Sequence, residues 1–298
     1  MKHKHFLTAL FAALVAFATA QQIPDTAFTL PNPAPKYAPG QGPVVWLDEA
    51  HYNFHTLDGR YASFGKVLRA DGYQIQANRE PFSAATLAGC RVLVIANALD
   101  SASNAAWVMP NNSAFSPVEI EAVKTWVFGG GRLFLIADHM PFAGSAQELA
   151  KSFGIGLLNC FAMDNRNRQT ERFYRDNETL LDNEITKGID TVVTFTGSAF
   201  RLPPGAHPVL ALRNYTLLRP QEAWQFTETT PFTDSRGFYQ LGYLEYGKGR
   251  VVMSGEAAMF SAQLAGPNRN LVGMNQPEAR QNGQLLLNIM HWLDAKGE

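Results

Sequence analysis

The sequence predicts an α/β protein: a doubly wound, mostly parallel sheet with a β-rich C-terminal extension and a final helix. Three observations predict it. Residues 133–137 contain no polar side chain, as in a strand covered on both faces. Helix signals bracket that run. Ser116-Pro117-Val118-Glu119 is a capping box with proline at the first helical position, and Ser145-Ala146-Gln147-Glu148 reads as a second capping box. Beyond Asn183 the helix–strand alternation gives way to short strands.

Taken in order, residues 1–20 read as a signal peptide. Lys2, His3, Lys4 and His5 form a basic head, residues 6–17 an apolar core too short to span a bilayer, and Ala18-Thr19-Ala20 a cleavage site. The expectation is an exported protein, periplasmic or secreted, with no membrane attachment after cleavage. Residues 21–42 carry five prolines, from Pro24 to Pro39, and read as an extended leader. Residues 43–298 are expected to form one α/β domain.

Residues 43–47 are the first strand, running into Asp48, Glu49, His51 and His55. A helix follows with Tyr61, Phe64, Val67 and Leu68 on one side and Gly72 as its stop. Residues 73–77 and 91–96 are the next strands, the latter ending at Asn97, and residues 83–87 are a short turn or helix. Residues 100–114 read as a polar loop. The helix capped at Ser116 presents Ile120, Val123, Trp126 and Val127, and Gly129, Gly130 and Gly131 end it. The central strand then leads through Asp138 and His139 to the helix assigned to Ser145. Residues 155–163 add a strand. Residues 164–175, with Arg166, Arg168, Arg172 and Arg175, are either a solvated loop or a basic lid over an anionic ligand. Residues 191–196, 208–212, 237–246 and 250–254 are strands, with Gly247-Lys248-Gly249 turning between the last two. The final helix, from Asn275 or Pro277, buries Leu285, Ile289, Trp292 and Leu293.

The chain has 298 residues, is 46% hydrophobic and has a formal net charge of -1, enough for a sizeable core. Near-zero charge and the lack of a basic run give no case for a nucleic-acid partner. Export would permit a disulfide between Cys90 and Cys160, but two buried thiols fit equally well. Neither cysteine sits in a CxxC or beside a histidine.

In wound sheets, ligands bind beyond the carboxyl ends of the strands. Three polar clusters fall there: Asp48, Glu49, His51 and His55; Asp138 and His139; and Glu256. Carboxylates with imidazoles suit a divalent metal such as zinc, or general acid–base chemistry. The candidates are therefore Asp138, His139 and Glu256 for catalysis, and Asp48, Glu49, His51, His55, Asn97 and Ser145 for ligand binding. His51, His55, Asp138 and His139 are the candidate metal ligands. Each has a structural alternative: capping for Asp48 and Glu49, a hydrogen-bonded imidazole for His51 and His55, loop support for Glu256. A helix N-terminus at Ser145 would favour an anion. His51 and His55 are not an HExxH pair, no G-x-S-x-G elbow occurs, and the triple glycine precedes a strand rather than a helix.

Residues 121–139, EAVKTWVFGGGRLFLIADH, resemble the helix, triple glycine and strand of class I glutamine amidotransferase-like domains, nearest the ThuA-like branch and the gliding-motility and intraflagellar-transport branch. Residues 246–256, YGKGRVVMSGE, resemble their later hairpin and strand, and the resemblance spans roughly residues 43–295. It implies an amidotransferase-like, flavodoxin-like fold. The amidotransferase nucleophile is a cysteine after the central strand, where this chain has Asp138 and His139, so a Cys-dependent glutaminase is not expected. The ThuA-like branch is associated with sugar metabolism, which implies a small polar, carbohydrate-derived ligand. Metal-assisted hydrolysis and non-catalytic binding both remain open.

Overall fold

The computed structural model describes residues 22–166 and 170–295. The signal-peptide segment and Arg168 lie outside the described residues. The first half of the chain runs β1 (Gln22–Pro24), β2 (Val44–Asp48), α1 (Ala62–Ala70), β3 (Gln74–Asn78), α2 (Ala84–Leu87), β4 (Val92–Ala96), α3 (Ser101–Ala105), α4 (Pro117–Phe128), β5 (Arg132–Ile136) and α5 (Phe142–Ser152). The second half runs β6 (Gly156–Asp164), β7 (Glu171–Tyr174), β8 (Thr191–Thr194), β9 (Gly197–Arg201), β10 (His207–Ala211), β11 (Tyr215–Leu218), β12 (Phe232–Asp234), β13 (Tyr239–Tyr246), β14 (Gly249–Ser254), β15 (Ala262–Ala265), β16 (Asn270–Gly273) and α6 (Asn282–Asp294).

The main sheet has eleven strands, in the order β12-β11-β6-β9-β13-β14-β5-β4-β2-β3, with β10 also paired to β13. The five strands from β14 to β3 are mutually parallel; the others join antiparallel. The fold is thus α/β, with a wound parallel half and a β-rich extension. Alternation along β4 and β5 shows why helices cover both faces. Val92, Val94, Phe134 and Ile136 pack on the side of α1 and α6, while Leu93, Ile95, Leu133 and Leu135 pack on the side of α4 and α5. The sequence-expected final-helix residues Leu285, Ile289, Trp292 and Leu293 are all buried.

Ser116 and Glu119 form the capping box that starts α4. The second expected box does not exist. The chain turns into helix directly after Pro141, so Ser145 lies inside α5 as a buried residue. Proline suits a helix start because its φ is preset and its missing N–H is not needed there. The expected loop at residues 100–114 contains α3, whose cap Asp100 accepts from the Ala102 and Ser103 N–H groups.

The leader is strapped down by buried acids. Asp71 accepts from the Asn32 side chain at 2.8 Å and from Lys36 N at 2.9 Å, and Asp294 accepts from Lys36 Nζ at 3.2 Å and from the Tyr37 hydroxyl. Its first residues pair as β1 with β15, in a small sheet completed by β16. Arg166, Arg172 and Arg175 pair with Asp164, Glu278 and Asp182, respectively. Cys90 and Cys160 are free thiols, and burial pushes both up to about 12.

Candidate functional site

A cavity of about 940 Å³ opens beyond the carboxyl ends of β4, β5 and β14, a size typical of small-molecule pockets. Its polar lining includes His55, Asn97, Asp138, His139 and Glu256, five of the nine candidates read from sequence. Each follows a strand end or lies on the loop after β2, so the wound sheet gathers groups that are up to 201 positions apart in sequence. Another concavity, of about 600 Å³, lies between α2 and α4 against Val118, Ala122 and Trp126, but offers few converging polar groups.

Asn97 organises the floor. Its backbone has φ of 50°, a left-handed conformation that asparagine tolerates better than most residues. Its side-chain oxygen accepts from Asp138 N at 2.9 Å, and its side-chain nitrogen lies 3.2 Å from His55 Nδ1. The amide can only donate to that ring nitrogen, so the hydrogen-bond network assigns the neutral His55 proton to Nε2. Burial, with Arg60 and His139 nearby, pushes the His55 pKa down to about 3, so the ring is neutral at physiological pH. His139 is held differently. Nδ1 lies 2.7 Å from the Met140 carbonyl and donates to it, which leaves Nε2 as the ring's available nitrogen. The ring stacks on Phe161, with centroids 4.4 Å apart.

Two carboxylates share this floor. Glu256 is fully buried, and its two oxygens accept from Ala258 N at 2.9 Å and Met259 N at 2.7 Å. Burial and the neighbouring Asp138 charge nevertheless hold its pKa well above the ordinary range. Burial also raises Asp138, against the opposing effects of His139 and the N–H groups around it. Like charges close together in a low-dielectric site oppose each other's ionisation, which is the direction of the Asp138 effect on Glu256. The backbone makes room for Glu256 at Gly197: a Cβ there would meet Gly255 O at 2.3 Å and Glu256 Cβ at 3.1 Å.

Asp48, Glu49, His51 and Ser145 do not line the cavity. Asp48 holds His51 Nδ1 at 2.9 Å and the Asn53 side chain at 2.9 Å, while His51 Nε2 lies 2.8 Å from Glu119. Glu49 accepts from Leu57 N and pairs with Arg79. These groups shape the loop that delivers Phe54 and His55, and their hydrogen-bonding capacity is used inside the protein. Ser145 Oγ is buried without a partner. Of the four expected metal ligands, His55, Asp138 and His139 line the cavity, and His51 does not because it is committed to Asp48 and Glu119. Among the described residues no group of three or more His, Cys, Asp or Glu side chains is arranged to hold a metal ion.

The cavity also uses residues that sequence reasoning did not single out. Phe54, Trp107, Phe142 and Trp224 form aromatic walls, Arg60 contributes a cation, and Gln22 of the leader closes one edge. Trp107 carried a signal, an isolated tryptophan in an otherwise small and polar stretch; Arg60 and Gln22 carried none.

A cavity at the strand ends of a two-sided sheet defines the class: an α/β protein with a cavity at the carboxyl rim. Solved structures share this fold. The mmIFT52 N-terminal domain is 16% identical, with a TM-score of 0.61, covering 85% of this chain and 99% of that one. Cytoplasmic Protein STM1381 from Salmonella typhimurium LT2 is 13% identical, with a TM-score of 0.53, covering 85% and 99%. A protein described as ThuA-like, from Bacteroides uniformis ATCC 8492, is 14% identical, with a TM-score of 0.49, covering 90% and 97%. No protein-family model and no curated protein matches the chain.

Proposed function

We propose that this is an exported, amidotransferase-like α/β protein that binds a small polyhydroxylated ligand, carbohydrate-derived, and hydrolyses it with Asp138 and Glu256 as an acid pair. One observation carries this: two buried carboxylates, both raised by burial and Glu256 further raised by the Asp138 charge, lie on the floor of an aromatic-walled cavity. Carboxylates and amides bond hydroxyl groups, and flat aromatic faces cover the apolar side of a sugar ring. Two carboxyl groups whose pKa values are raised to different extents can serve one as donor and the other as acceptor. His139 Nε2 is the ring nitrogen left available at the same floor. The superfamily assignment draws support from residues 121–139 and 246–256 together with the shared fold, and export from the head of residues 1–20.

A second reading, non-catalytic binding, is favoured by one contact set. Both Glu256 oxygens take backbone N–H groups, as in a carboxylate that closes a turn. Asp138→Asn separates the two. Glycan and nitrophenyl-glycoside panels are assayed for binding by calorimetry and for turnover by release of the chromophore. Hydrolysis requires turnover in the native protein, and a loss of at least about a hundredfold in Asp138→Asn with binding retained. Binding without turnover in the native protein leaves the second reading.

A further inference from the structure

Arg60 is the one Lys or Arg side chain that lines the cavity among the described residues. Its guanidinium carbon lies 3.7 Å from the Phe54 ring centroid, so one face of the group is covered. Its polar edge is nearly unused. The Nη1 contact to Phe54 O is long, at 3.4 Å, and Nε is buried without a partner. No carboxylate among the described residues lies within ion-pair distance of it. By contrast Arg79, Arg166, Arg172 and Arg175 each have an acidic partner. A half-buried guanidinium with an orphaned N–H costs stability unless something completes it.

We infer that Arg60 is the anion-binding residue of this cavity and that the ligand is a sugar acid. Its carboxylate would meet the guanidinium edge while its hydroxyls reach Asp138, Asn97 and Glu256. The inference rests on the polyhydroxylated-ligand reading above and narrows it. Three features favour a carboxylate. Arginine's planar fork matches a planar carboxylate with two parallel hydrogen bonds. A single positive charge suits a monoanion, whereas a phosphate dianion would call for more cations or a nest of N–H groups. His55, the floor imidazole nearest Arg60 in its electrostatics, is neutral, and burial with the Asp138 charge disfavours the ionised form of Glu256. Burial lowers the Arg60 pKa, but an arginine retains its charge across the physiological range.

The test uses the whole protein and tryptophan fluorescence, because Trp107 and Trp224 line the cavity, with calorimetry as a second readout. Galacturonate and glucuronate are titrated beside galactose, glucose and glucose 6-phosphate, into the native protein and Arg60→Gln. The expected result is that a uronate binds the native protein about tenfold or more tightly than its neutral sugar. Arg60→Gln should erase that advantage, so that acid and neutral sugar bind alike, and keep the native circular dichroism spectrum. Equal binding of acid and neutral sugar, or an acid preference that survives Arg60→Gln, overturns the inference and leaves the ligand-class reading standing. Tighter binding of the phosphate overturns the carboxylate assignment. If Arg60→Gln does not fold, Arg60→Lys replaces it: the acid preference should drop because the planar fork is lost, and full retention counts against the inference. If none of the sugars binds the native protein, both the ligand class and the inference fall.

Discussion

His51 Nε2 lies 2.8 Å from Glu119 Oε1, and the other oxygen of the same carboxylate closes the N-terminal cap of α4 through Ser116. One side chain thus ties the loop after β2 to the start of a helix on the far side of β4. Asp48 holds the opposite nitrogen of the same ring, and Phe82 and Phe115 pack against it at 4.7 and 4.8 Å. An imidazole between two carboxylates explains why these residues looked like a site in sequence while serving as framework.

His51→Ala should therefore destabilise the fold by about 3 kcal/mol, since it strips a buried charge cluster of one member. Burial alone would lower the His51 pKa, but Asp48 and Glu119 outweigh it and raise it. The stabilisation is complete below the unfolded value of about 6.5 and fades as pH rises through the higher folded value. Urea unfolding of both proteins at pH 6 and pH 9 measures this. The difference between them should be larger at pH 6; a larger difference at pH 9 would contradict the assignment.

Glu171 shows the opposite sign. It is buried on β7, one oxygen accepts from Thr194 Oγ1 at 2.8 Å, and the other has no partner. Burial pushes its pKa up to about 8; Asp164 and Asp138 add to the rise, and Thr194 and Gln240 oppose it. Between about pH 4.3 and this value the folded state binds the extra proton, so rising pH costs up to about 1.4 kcal/mol per unit. Glu171→Gln removes that slope. The variant should be the more stable protein at pH 8.5 and should lose its advantage towards pH 4. Thermal melts across this range decide it, and parallel pH profiles would refute it.

Asn97→Ala should cost about 2 kcal/mol, because it orphans the buried Asp138 N–H and places alanine at positive φ. Asn97→Gly relieves the backbone but not the lost bond, so its cost should be smaller. In both variants the Asp138 amide should exchange faster with deuterium. Unchanged exchange would mean that the Asn97 carboxamide does not secure this strand end.

Much of the architecture was legible because it is local. Apolar runs, the Ser116–Glu119 cap and the terminal glycines announce strands and helices within a few residues of themselves, and β2, β4, α4 and β5 appear close to where these signals place them, whereas α6 begins at Asn282 rather than at Asn275 or Pro277. The start of α5 was misplaced because Pro141 and Ser145 both carry start signals, and only packing chooses between them. Strands such as β9 and β11 are short, and partners distant in sequence define them rather than their own pattern.

By itself the sequence determined the two-sided sheet and the strand ends where Asp138, Asn97 and Glu256 fall, because side-chain periodicity encodes burial. Only the tertiary structure decided which polar groups face the cavity. Asp48 and His51 have the same composition signature as Asp138 and His139, yet the first pair is satisfied by Glu119 and Asn53 while the second lines open space. A hydrogen bond to a residue 68 positions away leaves no mark on the local pattern. The same is true of Arg60 and Gln22, whose place in the wall depends on the loop after β2 and on the leader pairing with β15.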